Sequence, residues 1–339
     1  MKKLKFINRV IFILNNGAAI LLLCSLLAPR MKPASFSLIA VLGLLTPSLI
    51  VLNTLFVLYW VLIGFKRQWL LSAFVLLVCS FLLPQVYKFS SSDFPETKEP
   101  LSISTYNVRK FNLYEWIKDD SIPNKIGQFI TDQSPDVVVL QEYKYDKDFI
   151  LKYPYQFIPE SKNKESVGYA FFSKYPISNS GEVSYYPQFG KAFYIDIHTE
   201  KDTLRIINFH LNSLGIIAEQ DYFGHADSEK LLGRVKKSLL LQELQVKRIR
   251  QLIDATEHKV ILAGDLNNTA YSWSYKQLKR DLNDSFLKSG SGFGRTYEFQ
   301  GFPLRIDYLF VDPDLRIDAH KNFDKKFSDH YPVLIKVSL

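Results

Sequence analysis

Cysteine is nearly absent from this chain: Cys24 and Cys79 are the only two in 339 residues, and both fall inside apolar runs near the N-terminus. No disulfide framework can staple the rest, so cysteine usage is compatible with either side of a membrane. Acidic residues are equally scarce at the start. Residues 1–99 carry ten Lys/Arg against three Asp/Glu, which leaves 32 against 31 for everything that follows. The formal charge of +8 is therefore concentrated in the N-terminal part. The remainder lacks the net basic footprint with which a nuclease for long DNA usually holds phosphates. No internal repeat is visible.

What is present begins with three apolar stretches, Ile7 to Ala28, Phe36 to Phe65 and Trp69 to Tyr87, free of charged residues except Arg9. A helix crosses a bilayer with about 20 apolar residues, so each is long enough to span. Pro47 and Asn53 inside the middle stretch predict tilt or a kink there. Leu26-Leu27-Ala28-Pro29 is a poor cleavage site for a signal peptide, so the first stretch reads as retained. Lys2, Lys3, Lys5 and Arg9 precede the first stretch and Lys66 and Arg67 separate the second from the third, whereas only Arg30 and Lys32 lie between the first two. That asymmetry predicts a cytoplasmic N-terminus and, after three crossings, an extracytoplasmic C-terminal part. The expected organisation is a multi-pass anchor in the cytoplasmic membrane over residues 1–87, a polar, proline-punctuated linker over 88–99, and a further domain over 100–339.

Beyond the linker, short runs rich in Val, Ile, Phe and Tyr recur between turn signals: Leu101–Tyr106, Asp136–Leu140, Val167–Phe172, Phe193–Ile197, Leu204–Phe209, Val260–Ala263, Ile306–Val311 and Val333–Val337. They predict strands filling a sheet-on-sheet core. Helical periodicity is clearest in Glu229–Thr256, with lysines and arginines off the apolar stripe; a helix packed outside a sandwich is expected, a membrane-surface helix being the alternative. A second helix is expected from Pro123 to Asp132, stopping before Ser134-Pro135.

Several of these runs end, or are followed, by polar groups. Thr105-Tyr106-Asn107, Gln141-Glu142, Asn208-Phe209-His210-Leu211-Asn212, Gly264-Asp265-Leu266-Asn267, Arg305-Ile306-Asp307-Tyr308 and Ser328-Asp329-His330 follow in that order. Carboxylates, amides and imidazoles delivered from several strand ends are the components of a metal-assisted hydrolase. In order and spacing the six motifs resemble the endonuclease/exonuclease/phosphatase superfamily, which includes DNase I-like nucleases, neutral sphingomyelinases and inositol polyphosphate 5-phosphatases. The resemblance spans Pro100 to Leu339. It implies an α/β fold, a four-layer sandwich of two packed, mainly antiparallel sheets flanked by helices, here preceded by three transmembrane helices.

The resemblance also implies roles. Glu142 matches the metal-binding glutamate, Asn107 the asparagine beside it, and Asp329 a further acidic position that helps bind metal. Mg²⁺ is the expected ion, with Mn²⁺ as the alternative, because hard cations take oxygen ligands and keep several waters. Asp265 would orient the attacking water or bind a second metal. Asp265 and Asn267 alternate across Leu266, so an extended backbone would point both to one side, with Asn267 hydrogen-bonding phosphate. Asp307 and His330 resemble a pair in which the carboxylate fixes the imidazole tautomer; whether His330 or Asp265 is the base stays open. His210 stands where the abasic-site repair branch has tyrosine, and would stabilise or protonate the leaving side of phosphate. Asn212 is a candidate phosphate contact. Arg109 stands where repair enzymes have an acidic residue, and either binds a substrate phosphate or caps the first strand. Tyr153-Pro154-Tyr155 and Tyr185-Tyr186-Pro187 are expected to be loop packing rather than a pocket rim.

The reading that follows is a membrane-anchored, divalent-metal-dependent phosphoesterase acting on a phosphodiester, with a phospholipid or other small phosphoester favoured over nucleic acid. A DNase I-like nuclease is the alternative, and a catalytically silent binding or scaffold protein of the same fold the second.

Overall fold

The computed structural model describes residues 6–64, 67–89, 100–159, 168–184, 191–216, 225–299 and 301–339. Most of the predicted linker and Tyr185-Tyr186-Pro187 lie outside the described residues. The N-terminal part is helical: α1 (Phe6–Ser25), α2 (Ser37–Leu44), α3 (Thr46–Leu62), α4 (Trp69–Val78) and the short α5 (Leu83–Val86). Among the described residues, only Phe6–Arg30, 25 residues, makes a single helical segment long and apolar enough to cross a membrane. The expectation of three continuous spans needs correcting. The middle stretch breaks by 62° between α2 and α3, and the third breaks by 49° after Val78. Pro47 in the first turn of α3 explains the first break, since it cannot accept a place inside a continuing helix.

Fourteen strands among the described residues form two six-stranded sheets and a hairpin. The first sheet runs β13 (Arg316–Asn322), β14 (Val333–Ser338), β1 (Leu101–Asn107), β2 (Val137–Tyr143), β4 (Gly168–Ser173), β3 (Tyr155–Phe157). The second runs β5 (Ile177–Ser184), β6 (Lys191–His198), β7 (Thr203–His210), β8 (Lys259–Asp265), β12 (Asp307–Val311), β9 (Asn283–Asp284). The hairpin is β10 (Tyr297–Phe299) with β11 (Phe302–Leu304). Each sheet is mixed, with one parallel pair at its centre, β1 with β2 and β7 with β8. All eight strands expected from apolar runs are present. The polar edge strands β5 and β13 escape that signal because an edge strand with a solvated face needs few apolar residues.

Alternation along the strands builds the layers. Ile103, Val137, Val139, Leu204, Ile206, Ile261, Ala263, Leu309 and Val311 meet between the sheets. The opposite faces carry Tyr106, Val138 and Leu140 under α6 (Ile122–Gln133). Ile207, Phe209, Leu262 and Phe310 lie under α7 (His225–Asp254) and α8 (Trp273–Lys279). Helix, sheet, sheet, helix is the α/β sandwich expected. One more short helix, α9 (Ser285–Ser289), is capped by Asp284, whose carboxylate accepts from Phe286 N and Leu287 N.

Candidate active site

Inward-facing residues at the same end of the central strands create the site. On β1, β7, β8 and β12 the alternation that buries Ile103, Ile206, Ala263 and Leu309 between the sheets also points Asn107, His210, Asp265 and Asp307 inward. Parallel pairing places His210 beside Asp265, and antiparallel pairing sets Asp307 opposite Asp265. Strand β2 would fail by the same rule, since alternation puts Glu142 on the outer face with Val138 and Leu140. A bulge between Gln141 and Tyr143, with Glu142 at φ 49°, turns its carboxylate inward.

The resulting contacts form one cluster. Asn107 Nδ2 donates to Glu142 Oε1 at 3.3 Å and to Asp265 Oδ2 at 3.1 Å. His210 Nε2 lies 3.4 Å from Asp265 Oδ2 and 3.9 Å from Glu142 Oε1. His330 Nε2 lies 3.7 Å from the same Asp265 oxygen, and His330 Nδ1 hydrogen-bonds Asp307 Oδ2 at 2.9 Å. Thr296 Oγ1 accepts from both Ile306 N and Asp307 N, fixing the start of β12, and the Tyr297 ring packs against His330.

Asn267 joins the cluster by a different route from the one expected. Strand β8 ends at Asp265, Asn267 takes φ 50°, and its backbone N–H donates to Asp265 Oδ1 at 2.7 Å, so an Asx turn rather than an extended run brings the two together. Its amide donates to Leu211 O and, at 3.2 Å, to Asp265 Oδ2. Asn212 is placed otherwise, its amide spent on Ser213 O and Ser238 Oγ. Asp329 meets Arg109 at 2.9 Å and accepts from Ser328 Oγ, and so faces the guanidinium rather than the other carboxylates. Asn107 presents N–H rather than its oxygen to the carboxylates; that oxygen accepts from Arg109 N.

Burial sharpens the electrostatics. Desolvation pushes the Asp265 carboxyl up to about 6, against the pull of His330 and His210. Burial alone would lower the His330 imidazole, but Asp307 and Asp265 outweigh it and raise it to about 10. Asp307 Oδ1 is buried and has no hydrogen-bond partner. Asp265, Asp307 and His330 offer ligand atoms within 4.8 Å of one another. Converging carboxylates with one orphaned oxygen fit a hard divalent cation. Glu142 stands beside that group, joined to Asp265 through the Asn107 amide.

Several positioning residues gave little sign in the sequence. Buried Gln141 donates to Asn208 Oδ1 at 2.8 Å and to Thr105 Oγ1 at 3.0 Å, while Asn208 donates to Leu140 O, bolting the two sheets together beneath the site. Gln242 of α7 donates to Asn212 O at 2.8 Å, with Leu266 O and Asn267 O at 3.3 and 3.4 Å, and accepts from Asn268 Nδ2 at 2.8 Å. Its only signal was an uncharged polar residue inside a long amphipathic helix. Beside the cluster a pocket of about 270 Å³ is lined by Arg109, Asn112, Trp116, Ile117 and residues 326–329. Tyr153 donates to Pro135 O and packs in the α6 layer, as loop packing.

The endonuclease/exonuclease/phosphatase family model matches residues 104–330, two thirds of the chain and every residue of the cluster. The chain belongs to that family. Residues 8–86 match a second family, described only as a domain of unknown function. No curated protein matches the chain. Among solved structures, a family member from Leptotrichia buccalis is 17% identical, covers 70% of this chain and 100% of its own, and superposes with a TM-score of 0.51. A family member from Bacteroides vulgatus is 16% identical over 71% of this chain and 100% of its own, with a TM-score of 0.52. Humanized D. rerio TDP2 is 18% identical over 71% and 99%, again with a TM-score of 0.52. At these identities the likeness shows the shared fold. As a member of the family, the chain has the architecture of hydrolases that act on phosphoesters.

Proposed function

We propose that the chain is a membrane-anchored, divalent-metal-dependent phosphodiesterase, with a phospholipid or other small phosphoester as substrate. The observation that carries this reading is the convergence of Glu142, Asn107, His210, Asp265, Asp307 and His330 at one end of the sandwich. Glu142 and Asp265 would hold the cation, Mg²⁺ or Mn²⁺, which when bound neutralises charge on the phosphate. Asn107 orients both carboxylates. Asp307 fixes the His330 ring through Nδ1, which leaves Nε2 facing Asp265 and the place where water and phosphate meet. His210 supplies a hydrogen bond to a phosphate oxygen and Arg109 a cation beside it, while Asn267, its amide held by Leu211 O and Asp265 Oδ2, positions Asp265. The near-neutral charge of residues 100–339 supports a small or lipid phosphoester over long DNA.

The anchor reading, residues 1–87 with three crossings, is supported by the course of the helices. The C-terminal end of α1 and the α2–α3 corner touch the sandwich, and Lys88, just after α5, pairs with Gly292, so α1 would cross once, and the two further crossings require each bent pair, α2 with α3 and α4 with α5, to act as one span. The cationic ends, around Arg9 and Arg67, would then lie on the far side, in the cytoplasm, and residues 100–339 outside it. Screening the full chain against lipid, nucleotide and DNA phosphoesters with and without Mg²⁺ tests the activity. Protease added to intact spheroplasts tests the topology: digestion of residues 100–339 is expected, and protection until the membrane is broken would invert it.

A further inference from the structure

The helical N-terminal part packs on the loops that build the site. The loop leaving β7 runs from His210 to Leu214, which joins Ala40, Val41 and Leu44 of the α2 region and Val235 and Leu239 of α7 in one apolar cluster. The loop leaving β8 runs from Asp265 through Asn267 to Tyr271, buried among Ala19, Leu22, Leu49, Val75 and Leu82. Contact is close enough that a Cβ on Gly43 would meet Ala28 Cβ at 2.7 Å and Tyr271 O at 3.0 Å. Ala34 N donates to Glu243 Oε2 at 2.8 Å, and the neighbouring Gln242 ties both loops together.

Chain length bounds the separation. Leu214 is four residues from His210 and Tyr271 six from Asp265, so at about 3.6 Å per residue the anchor contacts lie within about 14 and 22 Å of those site residues. The polar layer of a bilayer leaflet is itself about 5–7 Å deep. With the anchor crossing as proposed above, a site held this way would stand within about 22 Å of the anchor's packed end. The pocket beside the cluster is lined by loops of the other sheet, which follow β1 and precede β14. There Arg109 stacks 3.6 Å over Trp116 with Lys326 on the same wall, shaped by four consecutive left-handed residues, Arg109 to Asn112.

We propose that the substrate is an amphiphilic phosphodiester hydrolysed in the bilayer that holds the anchor, its lipid side toward the 211–216 and 266–271 loops and its polar headgroup toward Arg109, Trp116 and Lys326. This rests on the hydrolase and anchor readings above. Water adds its oxygen to phosphorus, one P–O ester bond breaks, the departing oxygen takes a proton from that water, and the phosphate stays on the other product.

The full chain is reconstituted into vesicles of phosphatidylcholine, phosphatidylglycerol and sphingomyelin, with bis-p-nitrophenyl phosphate as a soluble diester. Lipid in the protein's own vesicles should be hydrolysed about a hundredfold faster than the same lipid in separate protein-free vesicles, because the anchor makes that encounter intramolecular. Gly43→Leu and Val235→Ser, which loosen the docking, should lower lipid turnover at least about tenfold while leaving soluble-diester turnover unchanged, which also reports that the site remains folded. Equal rates in the two vesicle populations, soluble turnover without lipid turnover, or lipid turnover indifferent to both variants would overturn the inference alone. Failure on soluble diester and lipid alike, with either metal, would overturn the hydrolase reading and the inference with it.

Discussion

Glu142 Oε1 accepts a hydrogen bond from Asn107 Nδ2 at 3.3 Å only because Glu142 sits at φ 49° in a bulge. A left-handed conformation at a residue with a Cβ costs on the order of 1–2 kcal/mol. Strand β2 carries that strain, and in return a carboxylate is brought in beside Asp265. Glu142→Asn should therefore raise the stability of the metal-free protein by about 1 kcal/mol, since asparagine tolerates this backbone and removes a negative charge from the cluster. Calorimetry should show divalent-cation affinity falling at least about tenfold in the same variant. Unchanged affinity would remove Glu142 from the ligand set.

Asp307 and His330 should behave as a unit in turnover. His330→Ala is expected to lower kcat by about 10² to 10⁴ with little change in KM, because the imidazole acts chiefly in the transition state. Asp307→Asn should produce a loss of similar order, and the double variant little more than either single one. Additive losses would show that the two act separately.

Gly264 is required by the close approach of β7 and β8. At φ 153° a Cβ would lie 1.9 Å from Phe209 O, a main-chain atom with nowhere to go. Gly264→Ala should destabilise the protein by at least about 3 kcal/mol in denaturant unfolding and displace Asp265, the next residue. A stable, fully active variant would contradict the strand spacing described.

The motif Arg305-Ile306-Asp307-Tyr308 divides into structural and chemical halves. Arg305 is buried, pairs with Asp284 at 2.7 Å and stacks on Phe286 and Tyr308, outside the cluster. Burial would raise the Asp284 carboxyl, yet Arg305 and Tyr275 hold it below the ordinary range. Arg305→Ala should cost about 3–5 kcal/mol by stranding that carboxylate, and Arg305→Ala with Asp284→Ala should recover part of it. Loss of activity without loss of stability would place Arg305 in the chemistry instead.

His320 offers a pH test away from the site. Burial, partly offset by Asp284, lowers its imidazole to about 4 while Ser285 and Asn322 occupy its two ring nitrogens. A folded pKa below the unfolded value near 6.5 means that the unfolded chain binds the extra proton between them. Stability is then fully present above about pH 6.5 and falls by up to about 3 kcal/mol as pH drops toward 4. His320→Asn should flatten that segment of the stability profile.

The strands that carry the site were legible because each is a dense apolar run that ends or begins in a polar group, and because alternation then decides which way that residue points. Asn107, His210, Asp265 and Asp307 obey that rule. Glu142 does not, and nothing in Gln141-Glu142-Tyr143 announces the bulge that redirects it. Asn267 reaches Asp265 through a left-handed turn where extended backbone was expected. Gln242 and Thr296 act through hydrogen bonds to distant backbone, which leave no local pattern. The break at Pro47 was visible as a kink, but that α2, before it, packs on α7 depends on a surface formed some two hundred residues later.

The most direct test of the account is turnover of bis-p-nitrophenyl phosphate by the full chain after exhaustive chelation and again after Mg²⁺ or Mn²⁺ is restored, with Glu142→Gln in parallel. The account predicts no turnover in chelator, recovery with the ion, and a Glu142→Gln protein needing at least about tenfold more ion for half-maximal rate. Turnover that survives chelation, or a Glu142→Gln titration that overlays the native one, would contradict it.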